Sequence, residues 1–319
     1  MIHVEHLSKM YGTFRALNDI SFDVAQGEVV GFLGPNGAGK TTTMRILTGY
    51  MPPTDGQARI AGLDVFEQSL EVRKRIGYLP ESVPLYTEMT VRAYLDYMGS
   101  LRRVDDRARA VERAMARCHI EQRADSLIGK LSKGLRQRVG LAQAIIHDPK
   151  VLILDEPTIG LDPKQIIQVR ELIKELGQTH TVMLSTHILP EVSQTCDRVL
   201  IVNNGRLVAE GSPGELTAQL QSGGRIRVKI GNPSDQIADV LRRIPDVIRV
   251  HQTHADGIYE IICPPNIDRR AETAKTIVQH GWELLELQSI NLSLEDIFLK
   301  LTTAEPSSNG VILEEENDA

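Results

Sequence analysis

Residues 29–41 of the chain read VVGFLGPNGAGKT. The mainly apolar run VVGFL predicts a buried strand, and the glycine-rich segment that follows fits the pattern G-x-x-x-x-G-K-[ST] from Gly34 to Thr41. The next residues, TTTMRILTGY, have the pattern of a helix. A strand, a glycine-rich turn and a helix in this order predict a loop that wraps around phosphate groups.

The residue types in this loop suit a nucleotide with bound Mg²⁺. Its glycines are expected to let phosphate oxygens approach backbone N–H groups, and the start of the helix faces the anion. Lys40 is expected to place its charge at the β- and γ-phosphates, and the Thr41 hydroxyl to bind Mg²⁺. A glycine turn without a ligand would need neither residue. The predicted nucleotide-binding residues of the loop are Gly34, Pro35, Asn36, Gly37, Ala38, Gly39, Lys40, Thr41 and Thr42.

A second pattern, VLILDEP at residues 151–157, places two carboxylates directly after an apolar strand. Asp155 is expected to anchor Mg²⁺ through water, and Glu156 to orient or deprotonate an attacking water. A DE pair after a strand is more often a solvated loop or a helix start. The phosphate loop favours the functional interpretation, because the carboxyl ends of parallel strands share one edge of a sheet.

A third strand, TVMLST, is followed by His187. A histidine at a strand end is more often an ordinary polar cap than a catalytic group. At the same sheet edge as Lys40 and Glu156, however, its imidazole could hydrogen-bond the γ-phosphate or the attacking water. The sequence therefore predicts that these three distant residues meet around one triphosphate.

The pattern of the remaining chain predicts two folded parts. Short alternating strands near the N-terminus, some antiparallel, precede helical periodicity over 90–118 and apolar strands that alternate with helices, which is typical of an α/β fold with a mainly parallel sheet. From Arg225 the pattern becomes β-α-β-β-α-β, typical of a small α+β domain. The predicted boundaries are 1–220 for the first domain, 82–140 for a helical insert, 225–303 for the second domain and 304–319 for an acidic, disordered tail.

Composition narrows the function classes. The chain has 319 residues, 41% of them hydrophobic, and a net charge of −6, so no overall basic field indicates nucleic acid. No apolar run approaches the roughly 18 residues that a membrane span needs. Three scattered cysteines form neither a disulfide framework nor a close-spaced metal site. These features predict a cytosolic protein that does not cross a membrane by itself.

Two further motifs give the chain a family resemblance. LSKGLRQR at 131–138 resembles the signature of ATP-binding-cassette (ABC) ATPases, and IGLDP at 159–163 resembles their D-loop. The resemblance implies that Tyr11 stacks on adenine, and that Ser132, Gly134 and Asp162 belong to the nucleotide site. Ser132 and Gly134 would contact the γ-phosphate bound to a different subunit. It therefore implies a homodimer with two ATP molecules between its subunits.

The chain departs from the family pattern at two places. Glu81 stands in the loop after a core strand where the family usually has Gln. A glutamate can bind Mg²⁺ but cannot donate a hydrogen bond, so the coupling role of this loop is in question while ATP binding is not. In the signature, Lys133 and Leu135 replace the commoner Gly and Gln, whereas Ser132 and Gly134 are retained.

By this resemblance the chain would be an ATP-binding and ATP-hydrolysing subunit that powers export by a separate transmembrane permease, at the inner face of the cell membrane. The alternative is a soluble ABC-type ATPase, or a nucleotide-dependent regulatory module. Soluble cassette proteins typically carry two cassettes or a long coiled-coil insert, and neither pattern is visible. Glu81 and the altered signature motivate the regulatory alternative. The transported substrate leaves no trace in the sequence.

Overall fold

The computed structural model describes residues 1–220, 224–234, 236–254, 257–264 and 267–290. The chain splits into two compact units, which we call the N-terminal unit (Met1–Pro213) and the C-terminal unit (Gly214–Leu299). The predicted acidic tail at 304–319 and the last residues of the predicted second domain lie outside the described residues. Among the helices of the described ranges, none is long and apolar enough to cross a bilayer.

The N-terminal unit contains two sheets. Its strands are β1 (Ile2–Tyr11), β2 (Phe14–Val24), β3 (Val29–Leu33), β4 (Asp55–Ile60), β5 (Leu63–Asp64), β6 (Ile76–Leu79), β7 (Val151–Asp155), β8 (Thr181–Thr186), β9 (Arg198–Asn203) and β10 (Arg206–Gly211). An antiparallel sheet has the order β2-β1-β4-β5, and a six-stranded sheet has the order β10-β9-β3-β8-β7-β6. The pairs of the second sheet are parallel except for β10 with β9.

Helices connect these strands. They are α1 (Lys40–Leu47), α2 (Ser69–Arg75), α3 (Val91–Leu101), α4 (Arg107–Arg117), α5 (Lys133–Ile145), α6 (Pro163–Gly177) and α7 (Leu189–Thr195), and α8 (Pro213–Leu220) begins at the boundary between the units. The helical pattern predicted over 90–118 forms α3 and α4, which a short connection separates. The two sheets and the helical segment confirm the predicted α/β class with an antiparallel N-terminal sheet.

The central strands can be buried because their residues are apolar or, like Asp155, Thr181, Ser185 and Thr186, make hydrogen bonds through their side chains. All residues of β3, β7 and β8 are buried. β8 pairs with β3 on one side and with β7 on the other, so that Leu33 lies opposite Thr186 and Asp155 opposite Ser185. The three strands therefore end together, and the residues that follow them emerge at one edge of the sheet.

The C-terminal unit is a smaller α+β structure. Its elements are β11 (Gly224–Gly231), α9 (Ile237–Arg242), β12 (Arg249–His254), β13 (Ile258–Cys263), α10 (Arg270–Gln279) and β14 (Glu283–Ile290). The antiparallel sheet has the order β12-β13-β11-β14. Alternate residues of β11 and β13, such as Val228 and Ile261, form its apolar core together with Ile237 and Ile277 of the helices. The predicted β-α-β-β-α-β order is confirmed.

Candidate nucleotide site

The glycine-rich loop connects β3 to α1 at the carboxyl edge of the central sheet. Gly39 precedes α1 with a φ of 107°, and Gly37 has a φ of 81°. Side chains disfavour both conformations, so the path of the loop requires glycine at these two positions. The first N–H groups of α1 have no acceptor within the helix, which leaves them available to an anion.

The structure adds a packing reason for two of the glycines. A Cβ on Gly34 would lie 2.5 Å from the Val202 carbonyl oxygen on β9, and one on Gly39 would lie 2.6 Å from Leu17 Cδ2 on β2. These glycines therefore allow the loop to pack against neighbouring strands, and the close approach of phosphate oxygens to the loop stays a prediction. At Gly37, in contrast, no atom lies within 4 Å of the corresponding position.

Lys40 is a buried cation that joins the loop to the end of β7. Its Nζ donates hydrogen bonds to the carbonyl oxygens of Gly34 (2.8 Å) and Pro35 (3.2 Å), and lies 3.3 Å from Glu156 Oε1. Only 6% of the Lys40 side chain and 7% of the Glu156 side chain are exposed. A charge of either sign would be costly to bury alone, so each stabilises the other in this position.

Glu156 is held on both sides. Its Oε2 lies 3.0 Å from His187 Nδ1, opposite the contact with Lys40. Its backbone has a φ of 48°, a conformation that is unusual for a residue other than glycine. The Glu156 N–H donates to the Ser185 hydroxyl at 3.0 Å. The structure thus brings together Lys40, Glu156 and His187, the three side chains that were predicted to meet.

Asp155 lies beneath this group with one free oxygen. Its Oδ1 accepts hydrogen bonds from Ser185 Oγ at 2.5 Å and from Thr41 Oγ1 at 3.4 Å. Its Oδ2 is buried and has no hydrogen-bond partner among the described residues. Burial raises the pKa of Asp155 above its ordinary value, and the carboxylates of Glu156 and Glu81 add to this effect against the two hydrogen bonds.

An unpartnered carboxylate oxygen beside a hydroxyl fits a hard divalent cation. Mg²⁺ takes oxygen ligands and is commonly held by one or two protein groups together with phosphate oxygens and water. Asp155 and Thr41 provide such groups, and Glu81 lines the adjacent cleft. The residues present therefore fit the predicted ion.

These side chains border an open cleft of about 550 Å³. It is lined by Tyr11, Phe14, Ala16, Asn36, Gly37, Gly39, Lys40, Thr41, Thr42, Glu81, Glu156, Ile159 and His187. Gly34, Pro35, Ala38 and Asp155, which belong to the predicted set, do not form part of this lining. The cleft combines cationic, acidic and aromatic groups, which can contact the phosphates, a bound cation and the base of a nucleotide.

Two aromatic rings occupy the β1–β2 hairpin. Tyr11 pairs with Phe14 across a two-residue turn. The Tyr11 hydroxyl donates to Met51 Sδ at 3.1 Å, and Lys9 Nζ lies 5.7 Å from the centre of its ring. Sequence reasoning missed Phe14, although its place opposite Tyr11 in a short hairpin was a usable signal. Both rings can stack on a base.

The signature and D-loop residues lie outside this cleft. Ser132 is the N-cap of α5, and its hydroxyl accepts from the Leu135 N–H at 3.3 Å. Gly134 packs directly against the Gln165 side chain of α6. Asp162 is the N-cap of α6 and accepts from the Gln165 N–H at 3.0 Å. The two motifs therefore adjoin each other, and neither Ser132, Gly134 nor Asp162 lines the cleft that contains Lys40.

Comparison with known proteins identifies the family. The family model described as ABC transporter matches residues 17–159. The bacitracin transport ATP-binding protein BcrA of Bacillus licheniformis is 34% identical over 303 residues, which cover 94% of this chain and 97% of that protein. The chain belongs to the ABC transporter ATP-binding proteins. ATP binding and hydrolysis are general properties of this ABC family, and the site described above is the part of the chain that suits them.

Further ABC relatives agree with this assignment. The daunorubicin resistance ATP-binding protein DrrA2 of Streptomyces coeruleorubidus is 36% identical over 311 residues, 94% of each chain. A solved ATP-binding subunit of an ABC transporter has 32% identity and a TM-score of 0.63, covering 69% of this chain and 92% of its own. A dimeric bacterial ABC transporter cassette has 25% identity and a TM-score of 0.59, covering 66% and 98%.

Proposed function

We propose that the chain hydrolyses ATP with Mg²⁺, as a homodimer, and that this reaction powers export through a separate membrane-spanning permease at the inner face of the cell membrane. The observation that carries the proposal is the contact of Glu156 with both Lys40 (3.3 Å) and His187 (3.0 Å) at the rim of the cleft. Three groups from separate parts of the chain converge there, beside an aromatic surface suited to a base.

In the proposed reaction, water attacks the γ-phosphorus and the bond to the β–γ bridging oxygen breaks, giving ADP and phosphate. Glu156 orients the water and accepts its proton. Lys40 provides positive charge where negative charge accumulates, and His187 provides a hydrogen bond that positions the reacting group. Thr41, Asp155 and Glu81 would hold Mg²⁺, which neutralises charge on the phosphate oxygens when bound.

The position of the signature supports a homodimer. Ser132 is exposed and does not line the cleft of its own chain, so its hydroxyl can meet a nucleotide held by a second copy, whereas Gly134 is buried beside it. Ser132 caps a helix of 13 residues whose N-terminus favours anions. Each ATP would then lie between the phosphate loop of one subunit and the signature of the other.

The named relatives support export as the process driven. BcrA is a bacitracin transport protein, DrrA2 is a daunorubicin resistance protein, and a third relative from Rhizobium sp., 34% identical over 314 residues, is a Nod factor export protein. In the present chain, Tyr86 and Tyr97 form an exposed aromatic pair with ring centres 5.8 Å apart. This pair, with Pro84, is suited to contact with a permease.

Release of phosphate from ATP by the purified chain tests the reaction. Hydrolysis should require Mg²⁺, and Glu156→Gln should abolish turnover while retaining an ATP analogue. The exposed residue Glu171 of α6 offers a matched control, since Glu171→Gln makes the same chemical change away from the cleft. Turnover by Glu156→Gln at the wild-type rate would contradict the role of Glu156.

Recovery of the chain from membranes tests the partner. An affinity-tagged chain should be isolated together with a membrane-spanning protein, and its hydrolysis should respond to that protein. Full recovery in the soluble fraction without such a protein would favour the alternative of a soluble ATPase or regulatory module.

A further inference from the structure

The N-terminal unit contains a buried carboxylate, that of Glu191, which has no part in the proposed reaction. Glu191 is in the first turn of α7, and only 3% of it is exposed. Its Oε1 accepts a hydrogen bond from the Thr158 hydroxyl at 2.5 Å, and its Oε2 accepts one from the Thr186 hydroxyl at 2.9 Å. Within the described part of the chain, no lysine, arginine or histidine pairs with it.

One threonine lies close in sequence to each of the proposed catalytic groups Glu156 and His187. Thr158 follows Glu156 by two residues, and Thr186 immediately precedes His187. Both threonines are buried, with 2% and 0% exposure. Glu191 therefore bridges the segment after β7 and the end of β8 through two buried hydrogen bonds.

The strand ladder does not supply this bridge. The register of β7 with β8 ends where Asp155 lies opposite Ser185. Beyond that pair Glu156 adopts its positive φ, and its N–H group makes the last contacts to Ser185. The direction of the chain after Glu156 is then set by other contacts, one of which is the buried hydrogen bond from Thr158 to Glu191.

We propose that Glu191 is a positioning residue for ATP hydrolysis, whose carboxylate ties the Glu156 loop to the His187 loop and so sets the contact between those two side chains. An ionised carboxylate accepts hydrogen bonds at both oxygens, so both hydroxyls can donate to it at once. Glutamine in the same place has one acceptor oxygen and one donor group, so one of the two hydroxyls can no longer donate to it and has to accept instead, which weakens the bridge without a change in size.

The test is the separation of turnover from nucleotide affinity in Glu191→Gln. Because Glu191 touches neither the cleft nor the phosphate loop, the Kd of a fluorescent ATP analogue should change less than about twofold. The kcat should fall by about tenfold, since a small displacement of a catalytic group has a large effect on rate. Glu171→Gln, on the exposed face of α6, should leave both quantities unchanged.

Substitution of Thr158, whose hydroxyl donates one of the two hydrogen bonds to Glu191, is a second test of the proposal. Thr158→Val keeps the shape of the side chain and removes one bond, so it should also lower kcat while Kd is retained. Combined with Glu191→Gln, it should lower kcat by less than the product of the two separate effects, because both act through one contact. If Glu191→Gln does not fold, Thr158→Val alone decides the matter.

A wild-type kcat in Glu191→Gln or Thr158→Val would overturn the proposal, as would a loss of affinity parallel to the loss of kcat. The inference rests on the hydrolytic role proposed for Glu156, and the two can fail separately. An active Glu156→Gln chain removes the catalytic role of Glu156, and absence of ATP hydrolysis by the wild-type chain removes the proposed function itself. An inactive Glu156→Gln chain together with a fully active Glu191→Gln chain removes only the positioning role.

Discussion

In the described part of the chain, thirteen polar or charged side chains are buried in the N-terminal unit, and one, Thr273, is buried in the C-terminal unit. The difference exceeds the difference in length between the units. Seven of the thirteen surround the carboxyl ends of the central strands: Lys40, Asp155, Glu156, Thr158, Ser185, Thr186 and Glu191. Burial of such groups is unfavourable unless they are paired or hydrogen-bonded.

The N-terminal unit therefore buries polar groups at its candidate site, whereas the C-terminal unit is stabilised mainly by the packing of apolar side chains. In the N-terminal unit, the carboxylates and Lys40 are kept in place by specific hydrogen bonds at one sheet edge. In the C-terminal unit, an apolar core of strands and helices holds the fold. Substitutions in the two regions should therefore change different quantities, and the following experiments can break or sharpen that distinction.

The largest effect on stability should follow from Ile261→Ala in the core of the C-terminal unit. Ile261 is fully buried, so its truncation should lower the free energy of unfolding by about 2–5 kcal/mol. Trp282 is the one tryptophan of the chain and packs against this core, so its fluorescence reports the transition in denaturant. Ile262→Ala, at the half-buried neighbouring position, should cost less, and both variants should bind an ATP analogue normally. Weakened analogue binding under native conditions would contradict the contrast.

Lys40→Met should weaken nucleotide binding and leave the unfolding of the C-terminal unit unchanged. The substitution keeps the apolar part of the side chain and removes a positive charge that is expected to contact the phosphates. Such a charged contact should contribute about 2–3 kcal/mol to the free energy of binding. Titration with an ATP analogue should therefore show a Kd raised about 30- to 150-fold, with the Trp282 transition unchanged. Lys174→Met, at an exposed position of α6, provides the control. Normal affinity in Lys40→Met would show that the buried cation serves packing alone.

Protonation of His147 should change the stability of the N-terminal unit independently of the candidate nucleotide site. Burial, with a contribution from the Arg102 charge, lowers the pKa of His147 to about 4. Between pH 6.5 and pH 4 the unfolded chain binds this proton and the folded chain does not. The free energy of unfolding should therefore decrease as the pH is lowered from 6.5 to 4. The loss should be roughly 2 kcal/mol at pH 5 and roughly 3 kcal/mol at pH 4.

Urea unfolding followed by far-UV circular dichroism at pH 7 and pH 5 measures this effect. His147→Gln can keep a hydrogen bond to the Ile76 carbonyl oxygen and should have a smaller pH dependence than the wild type. His119→Gln, at an exposed histidine, should behave like the wild type. An equal pH dependence in all three chains would show that other groups are responsible.

The smallest effect is expected at the aromatic surface of the cleft. Phe14→Ala should weaken binding of an ATP analogue by about 1–2 kcal/mol, because stacking of a base on an aromatic ring has a value of this order. Phe66 has the same residue type and similar exposure, 59% against 61%, but does not line the cleft. Phe66→Ala should therefore leave affinity unchanged, and equal effects of the two substitutions would argue against a role for Phe14.

The meeting of Lys40, Glu156 and His187 was predictable because each follows an apolar strand, and parallel strands end at the same edge of a sheet. The element order of the C-terminal unit was predictable from its change in periodicity. Ser185 and Glu191 were not predictable, because their partners are set by the register of β7 with β8 and by the packing of α7. The contact of Gly34 with β9 is likewise a tertiary contact that no local pattern encodes.

The most direct test of the account is an experimental structure of the Glu156→Gln chain with ATP and Mg²⁺. The account predicts one nucleotide in each cleft, with the β- and γ-phosphates at Lys40, the ion between Thr41 and Asp155, and Ser132 of a second copy at the γ-phosphate. A triphosphate bound away from Lys40 and His187, or a phosphate loop without nucleotide at saturating ATP, would contradict it.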